Sequence, residues 1–217
     1  MKLSFIAAAV AIATTSFGAS ATTFTQTESH AGNVIQYTLG AGSSSVRARE
    51  YIGTLDTGSS FAAFCIELAV PFASPLTGTL SGFSAAQADN LSKLFSGAGW
   101  MSNAWETDAI ANDDKAKITA LQVGVWEIVY DTTFDLASGT FAVDASAQSA
   151  YGSMISGWMS AGSTLMANNI FGLRDGLRGN GNQQDLVIAV PEPSTYALML
   201  AGLGAIGFVA RRRARRG

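Results

Sequence analysis

Phe61-Ala62-Ala63-Phe64-Cys65-Ile66-Glu67-Leu68 places apolar side chains on both faces of an extended segment, the pattern of a strand covered on either side inside a sheet. Cys65 is therefore expected to be buried. The strand is read from Ser60 to Leu68, and Asp56-Thr57-Gly58 just before it is a hairpin signal that joins it to a preceding strand, Val46 to Thr54. Further upstream, Thr22 to Tyr37 alternates loosely and is rich in β-branched residues, with Ala31-Gly32-Asn33 as a break. That predicts two short strands in a hairpin, followed by a flexible loop over Gly40 to Ser45.

Downstream the period changes. Pro71 and Pro75 end the strand, and Ser84 suits the N-cap of a helix presenting Ala88, Leu91, Leu94 and Phe95 on one side and closing at Gly97. Trp100 and Trp105 follow in a predicted loop. A second helix is predicted to start around Asn112-Asp113-Asp114, whose short polar and acidic groups suit a helix N-terminus. Ile118, Leu121, Val125 and Val129 share one face of it, and Gln122 falls on that same face. A third helix after Asp144 would turn Tyr151, Met154, Ile155, Trp158 and Met159 inward, with Gly152 and Gly157 as weak points. Asp185 to Val190 reads as a last strand. Strands first, helices inserted and a strand last is an α+β pattern: an antiparallel β-sandwich or barrel with an inserted helical subdomain.

Both ends read as processed segments. Met1 and Lys2 form a positive n-region, Leu3 to Ala13 an apolar h-region, and Ala19-Ser20-Ala21 a small-x-small cleavage site, together a secretory signal peptide over residues 1–21. A secretion translocon and signal peptidase are the partners this implies. At the other end, Val190-Pro191-Glu192-Pro193-Ser194-Thr195 precedes fifteen mostly apolar residues, Tyr196 to Ala210, and then Arg211-Arg212-Arg213-Ala214-Arg215-Arg216. The prolines hold an extended segment open, and the apolar run can enter a bilayer as a single transmembrane helix, though it is shorter than the roughly 20 residues that span one comfortably. The arginines stay on the cytoplasmic side. An ordinary single-span tail anchor would also fit these properties.

The tail, residues 190–217, resembles the PEP-CTERM sorting signal, with Pro191-Glu192-Pro193 as the named motif, a short apolar helix and a terminal Arg cluster in order. The resemblance implies that Pro191, Glu192 and Pro193 are read by an exosortase, a membrane-embedded cysteine protease-transpeptidase. It further implies an inner-membrane intermediate whose tail is removed or exchanged, and a final place at the cell surface or in the exopolysaccharide matrix, the biofilm, of a Gram-negative bacterium.

Between the ends, residues 22–189 suffice for one domain with a sizeable core. Lys2 and the five tail arginines take six of the 13 basic residues and Glu192 one of the 16 acids, leaving seven against 15, a net charge near −8. Nothing there neutralises phosphates in number, which argues against nucleic acid as a partner. With a single cysteine, Cys65, no intramolecular disulfide can form, so the thiol is free, paired between molecules, or chemically used. His30 is the one histidine and is expected to be a solvated side chain. No Ser-His-Asp or His-rich metal set can be assembled, so neither an enzyme nor a cofactor is expected. Asp113/Asp114 and Glu106/Asp108 lack the alternating ligand spacing of a calcium loop, and Glu127 and Asp131 read as exposed. Of the four tryptophans, Trp126 and Trp158 fit core positions while Trp100 and Trp105 are the candidates for a surface platform.

One constellation can do chemistry. A glutamine on a helix's buried face costs on the order of 1–3 kcal/mol unless its amide is paired or consumed. Were Cys65 to meet it, the sulfur could attack the Gln122 carboxamide, expel ammonia and leave an internal thioester able to acylate an incoming amine or hydroxyl. Phe64-Cys65-Ile66-Glu67 and, 57 residues later, Leu121-Gln122-Val123-Gly124-Val125-Trp126-Glu127 resemble the two halves of the bacterial thioester domain of surface adhesins. In that family a strand Cys is joined to the Gln of a Thr-Gln-x-Ala-Ile-Trp helix motif. This chain has Leu121, Gly124 and Val125 at the Thr, Ala and Ile positions and keeps Trp126. The resemblance implies an adhesion domain that captures an amine- or hydroxyl-bearing surface or polysaccharide ligand through Cys65 and Gln122, with Phe64, Glu67 and Trp126 as supporting residues. The alternative is a non-reactive structural protein of the extracellular matrix, with Cys65 a small buried hydrophobe and Gln122 hydrogen-bonded to backbone.

Overall fold

The computed structural model describes residues 21–56, 60–68, 70–100, 110, 114–165, 169–174, 183–189 and 202. The strands are β1 Ala21–Leu39, β2 Gly42–Leu55, β3 Ser60–Cys65, β4 Leu76–Gly82, β5 Phe141–Val143, β6 Ile170–Arg174 and β7 Leu186–Ala189. Three helices, α1 Ala85–Gly97, α2 Lys115–Tyr130 and α3 Ala145–Ala161, fall between β4 and β6. Every pairing is antiparallel, and the ladder runs β2-β3-β7-β6-β4-β1 and returns from β1 to β2. The sheet thus closes on itself as a barrel, although residues 25–36 of β1 pair only with β2, and residues 42–49 of β2 pair only with β1. β5 lengthens one side by pairing Tyr37–Leu39 of β1.

The predicted hairpin over Thr22 to Tyr37 is instead one long strand. Its break survives as a bulge, the register shifting between Ala31 and Val34. The bulge faces α2: the Asn33 N–H donates to Thr119 Oγ1 at 2.8 Å, and a Cβ on Gly32 would lie 2.6 Å from that same oxygen. The expected loop over Gly40 to Ser45 is a tight turn, with Gly40 at φ 57° and β2 already under way at Gly42. β4, β5 and β6, short strands without a clear period, have no counterpart in the sequence reading.

β3 has the interior position its composition requires, with β2 on one side and β7 on the other. It stops at Cys65, three residues short of the predicted end. α1 begins with the expected Ser84 cap, completed as a capping box by Gln87, and α2 is capped by Asp114. Asn112, Asp113, Trp105, Glu106 and Asp108 lie outside the described residues, as do Ala19, Pro191, Glu192, Pro193 and the sorting helix except Gly202.

α2 is buried on all sides, not on one face: Ile118 through Ile128 is continuously enclosed. Barrel strands cover part of it, and α1 and α3 close over the rest at Gly124, where an added Cβ would stand 2.9 Å from Leu94 Cδ1. Strand and helix side chains belong to one hydrophobic cluster, so the inserted helices share the barrel's core. The burial of α2 also corrects Glu127, which is fully enclosed where exposure was expected, while Asp131 is half-buried and accepts the Thr140 and Phe141 N–H groups. Among the described residues no helix is long and apolar enough to cross a membrane.

Candidate functional site

β3 and α2 bring Cys65 and Gln122 together. The last β2–β3 pair is Glu50 opposite Phe64; one step further the ladder stops, and the Gln122 carboxamide takes up both backbone groups of Cys65. The Cys65 N–H donates to Gln122 Oε1 at 3.1 Å, and Gln122 Nε2 donates to the Cys65 carbonyl at 2.8 Å. Both residues are buried, so each bond replaces a group otherwise left dry and unpaired. The Gln122 carboxamide is thus held against the Cys65 backbone.

The thiol donates to Gln184 Oε1 at 2.7 Å, and Gln184 Nε2 donates in turn to the Glu67 carbonyl. Gln184 arrives through register: β3 and β7 set Cys65 opposite Leu186, so the chain two residues before Leu186 lies diagonally across from Cys65. Burial pushes the Cys65 thiol up to about 12, against the smaller opposing pull of a Tyr51 hydrogen bond and the Arg49 charge. The Tyr51 hydroxyl is likewise raised, first by burial and then by the adjoining sulfur. A cavity of about 320 Å³ opens over the pair, with Arg49, Tyr51, Phe72, Trp126 and Gln184 in its wall.

The supporting residues divide. Phe64 is fully buried on the core side, its ring 5.2 Å from Trp100 and 6.5 Å from Phe95. Trp126 lines the Cys65 cavity, packs 6.1 Å from Phe141, and has a buried Nε1 with no hydrogen-bond partner among the described residues. Glu67 turns toward a neighbouring cavity shared with Tyr130, Arg174 and Asp185. Gln184, Tyr51 and Arg49 were missed by the sequence reading, because only pairing across 119 residues and across β2 sets Gln184 and Tyr51 against the sulfur.

Trp100 is 3% exposed, not a surface platform, and donates through Nε1 to Glu50 Oε1 at 2.8 Å. His30 is 8% exposed, not solvated, with Nε2 3.0 Å from Glu28 and Nδ1 3.3 Å from Glu50. Glu50 is itself fully buried and also accepts the Ile110 N–H at 3.0 Å. Desolvation lowers the His30 pKa, but the Glu28 and Ile110 hydrogen bonds and the Glu50 charge together leave it raised. Trp158, placed in the core from sequence, is partly buried against it. Among the described residues no group of three or more His, Cys, Asp or Glu converges on one point.

The geometry defines an antiparallel barrel that encloses a cysteine and a glutamine in direct contact. Residues 189–214 match the PEP-CTERM protein-sorting motif. The motif implies an exosortase-sorted extracellular protein, exported and sorted at the membrane toward the cell surface, with exosortase as its processing partner. No curated protein and no solved structure matches the chain.

Proposed function

We propose that the chain is an exosortase substrate whose 22–189 body is an adhesion domain carrying a Cys65–Gln122 thioester, not an enzyme that turns over. The observation that supports this reading is the two-point contact between the Gln122 carboxamide and the backbone of Cys65. The Cys65 N–H already donates to the oxygen on which negative charge would develop, the role of an oxyanion-hole donor. With its proton directed to Gln184, the sulfur keeps its lone pairs for attack. Sγ would bond to the Gln122 carbonyl carbon as the bond to Nε2 breaks, and the thiol proton would leave with that nitrogen as ammonia. An amine reaching the cavity would then form a C–N bond at the same carbon, break the C–S bond and return a proton to Sγ.

On this reading residues 1–21 are removed on export, and the tail, 190–217, passes through the inner membrane of a Gram-negative cell before the product reaches the surface or biofilm matrix. Incubating the protein purified from cells with methylamine tests the reactive step: a methylamide at Gln122 and a newly labelled Cys65 are expected. An unmodified Gln122 would count against it.

A second reading has its own support. Both polar atoms of the carboxamide are hydrogen-bonded and burial holds the thiol well above its ordinary range, so the pair is also a non-covalent brace. The body would then be an inert structural component of the matrix.

A further inference from the structure

Period-two alternation along β2 puts Arg47, Arg49 and Tyr51 in a row on one face, and all three line the cavity over Cys65. No acidic residue is among the described residues of that wall. Arg47 Nη1 donates to the Gly32 carbonyl at 3.1 Å, which fixes the side chain but leaves most of its donors unused. Arg49 is half-buried, and neither arginine has a carboxylate within ion-pair distance among the described residues. In a body with only seven basic residues against 15 acids, two guanidinium groups without an ion-pair partner among the described residues converge at a cavity that reaches the sulfur. The same wall holds the buried Nε1 of Trp126, a donor without an acceptor among the described residues.

Two guanidinium forks, Arg47 exposed and Arg49 half-buried, with no carboxylate among the described residues of the wall, favour an oxyanion, which they bind through paired N–H donors. We propose that Arg47 and Arg49 form an oxyanion subsite, and that the small molecule or sugar unit admitted to the Cys65 cavity carries a carboxylate or phosphate group. The identity of the acyl acceptor in this inference rests on the thioester reading; the subsite itself does not.

The test is an NMR titration of the protein purified from cells, and of its Cys65→Ala variant, with glucuronate, glucose 6-phosphate and glucose. Binding of either anion to both proteins, at least about tenfold tighter than glucose, is expected. A preference for glucuronate assigns the subsite to carboxylates and a preference for glucose 6-phosphate to phosphates. The Arg47→Gln/Arg49→Gln variant should lose that advantage, whereas Arg47→Lys/Arg49→Lys, which keeps the charge, should retain part of it. Should the glutamine variant fail to fold, salt provides the check: anion affinity for the unmodified protein should fall severalfold between about 0.05 and 0.5 M NaCl. Equal binding of glucose and both anions, or anion affinity indifferent to salt or to loss of both guanidinium groups, overturns the subsite. Binding that persists in Cys65→Ala while the parent protein ignores methylamine would retain the subsite and remove only the thioester.

Discussion

Gln122 serves Cys65 as a neighbouring strand would: one side-chain amide supplies both the acceptor and the donor that the residue's backbone needs at the point where the β2–β3 ladder ends. Removing that amide should be costly whether or not the covalent bond forms. In a Cys65→Ala background, which keeps the backbone and excludes the crosslink, Gln122→Ala should lower stability by roughly 2–5 kcal/mol, from two orphaned buried groups and a small void. Urea unfolding measures this. A loss below about 1 kcal/mol would mean that water or a shifted strand satisfies Cys65 instead.

Glu127 gives the fold a pH dependence of definite sign. Burial, with smaller contributions from Asp131 and Asp135, raises its carboxyl to about 7, although Oε1 accepts the Asp135 N–H at 2.6 Å. A group whose folded pKa lies above its unfolded value contributes stability that is complete below about pH 4.5 and lost as pH rises toward 7. The loss should be on the order of 1–3 kcal/mol, and Glu127→Gln, which keeps the acceptor, should flatten it. Chemical denaturation of both proteins at pH 5 and pH 8 decides the matter; parallel pH profiles would refute the assignment.

Glu50 joins three parts of the chain through His30, Trp100 and Ile110. In Glu50→Gln an amide N–H₂ would face one of two N–H donors, so a loss of roughly 1–3 kcal/mol in urea is expected, with altered Trp100 fluorescence. His30 has a raised folded pKa, so its stabilisation is present below pH 6.5 and fades as pH rises through the folded value. His30→Gln should therefore cost more at pH 5.5 than at pH 8.5, and an equal cost at both would contradict the ion-pair account.

What was legible in the sequence followed from local pattern. β3 declared itself by apolar residues on both faces, α1 by its cap and spacing, and Gln122 by sitting among apolar residues at helical intervals. What was not legible depended on tertiary pairing. Gln184 and Arg49 reach the site through strand register, which no local window encodes. Ala31-Gly32-Asn33 looked like a turn because small and polar residues break a strand pattern in the same way whether the chain reverses or bulges toward a helix. Residue type alone places Glu127 and His30 in solvent, and the enclosure of α2 and the neighbouring Glu50 override that tendency.

The tail makes an independent prediction. Deleting Pro191 to Pro193 from the matched 189–214 segment should leave the apolar run and arginines attached in cells. C-terminal peptide mapping distinguishes the outcomes, and a deletion variant processed like its parent would dissociate the motif from sorting.

The thioester is tested most directly by the intact mass of the protein purified from cells, read beside that of Cys65→Ala. The account predicts a deficit of about 17 Da, the ammonia lost on closure, in the parent protein only, together with a Cys65 that resists thiol reagents under denaturing conditions. A mass difference between the two proteins equal to the Cys-to-Ala substitution alone, with Cys65 fully labelled, would contradict it and leave the pair as a hydrogen-bonded brace.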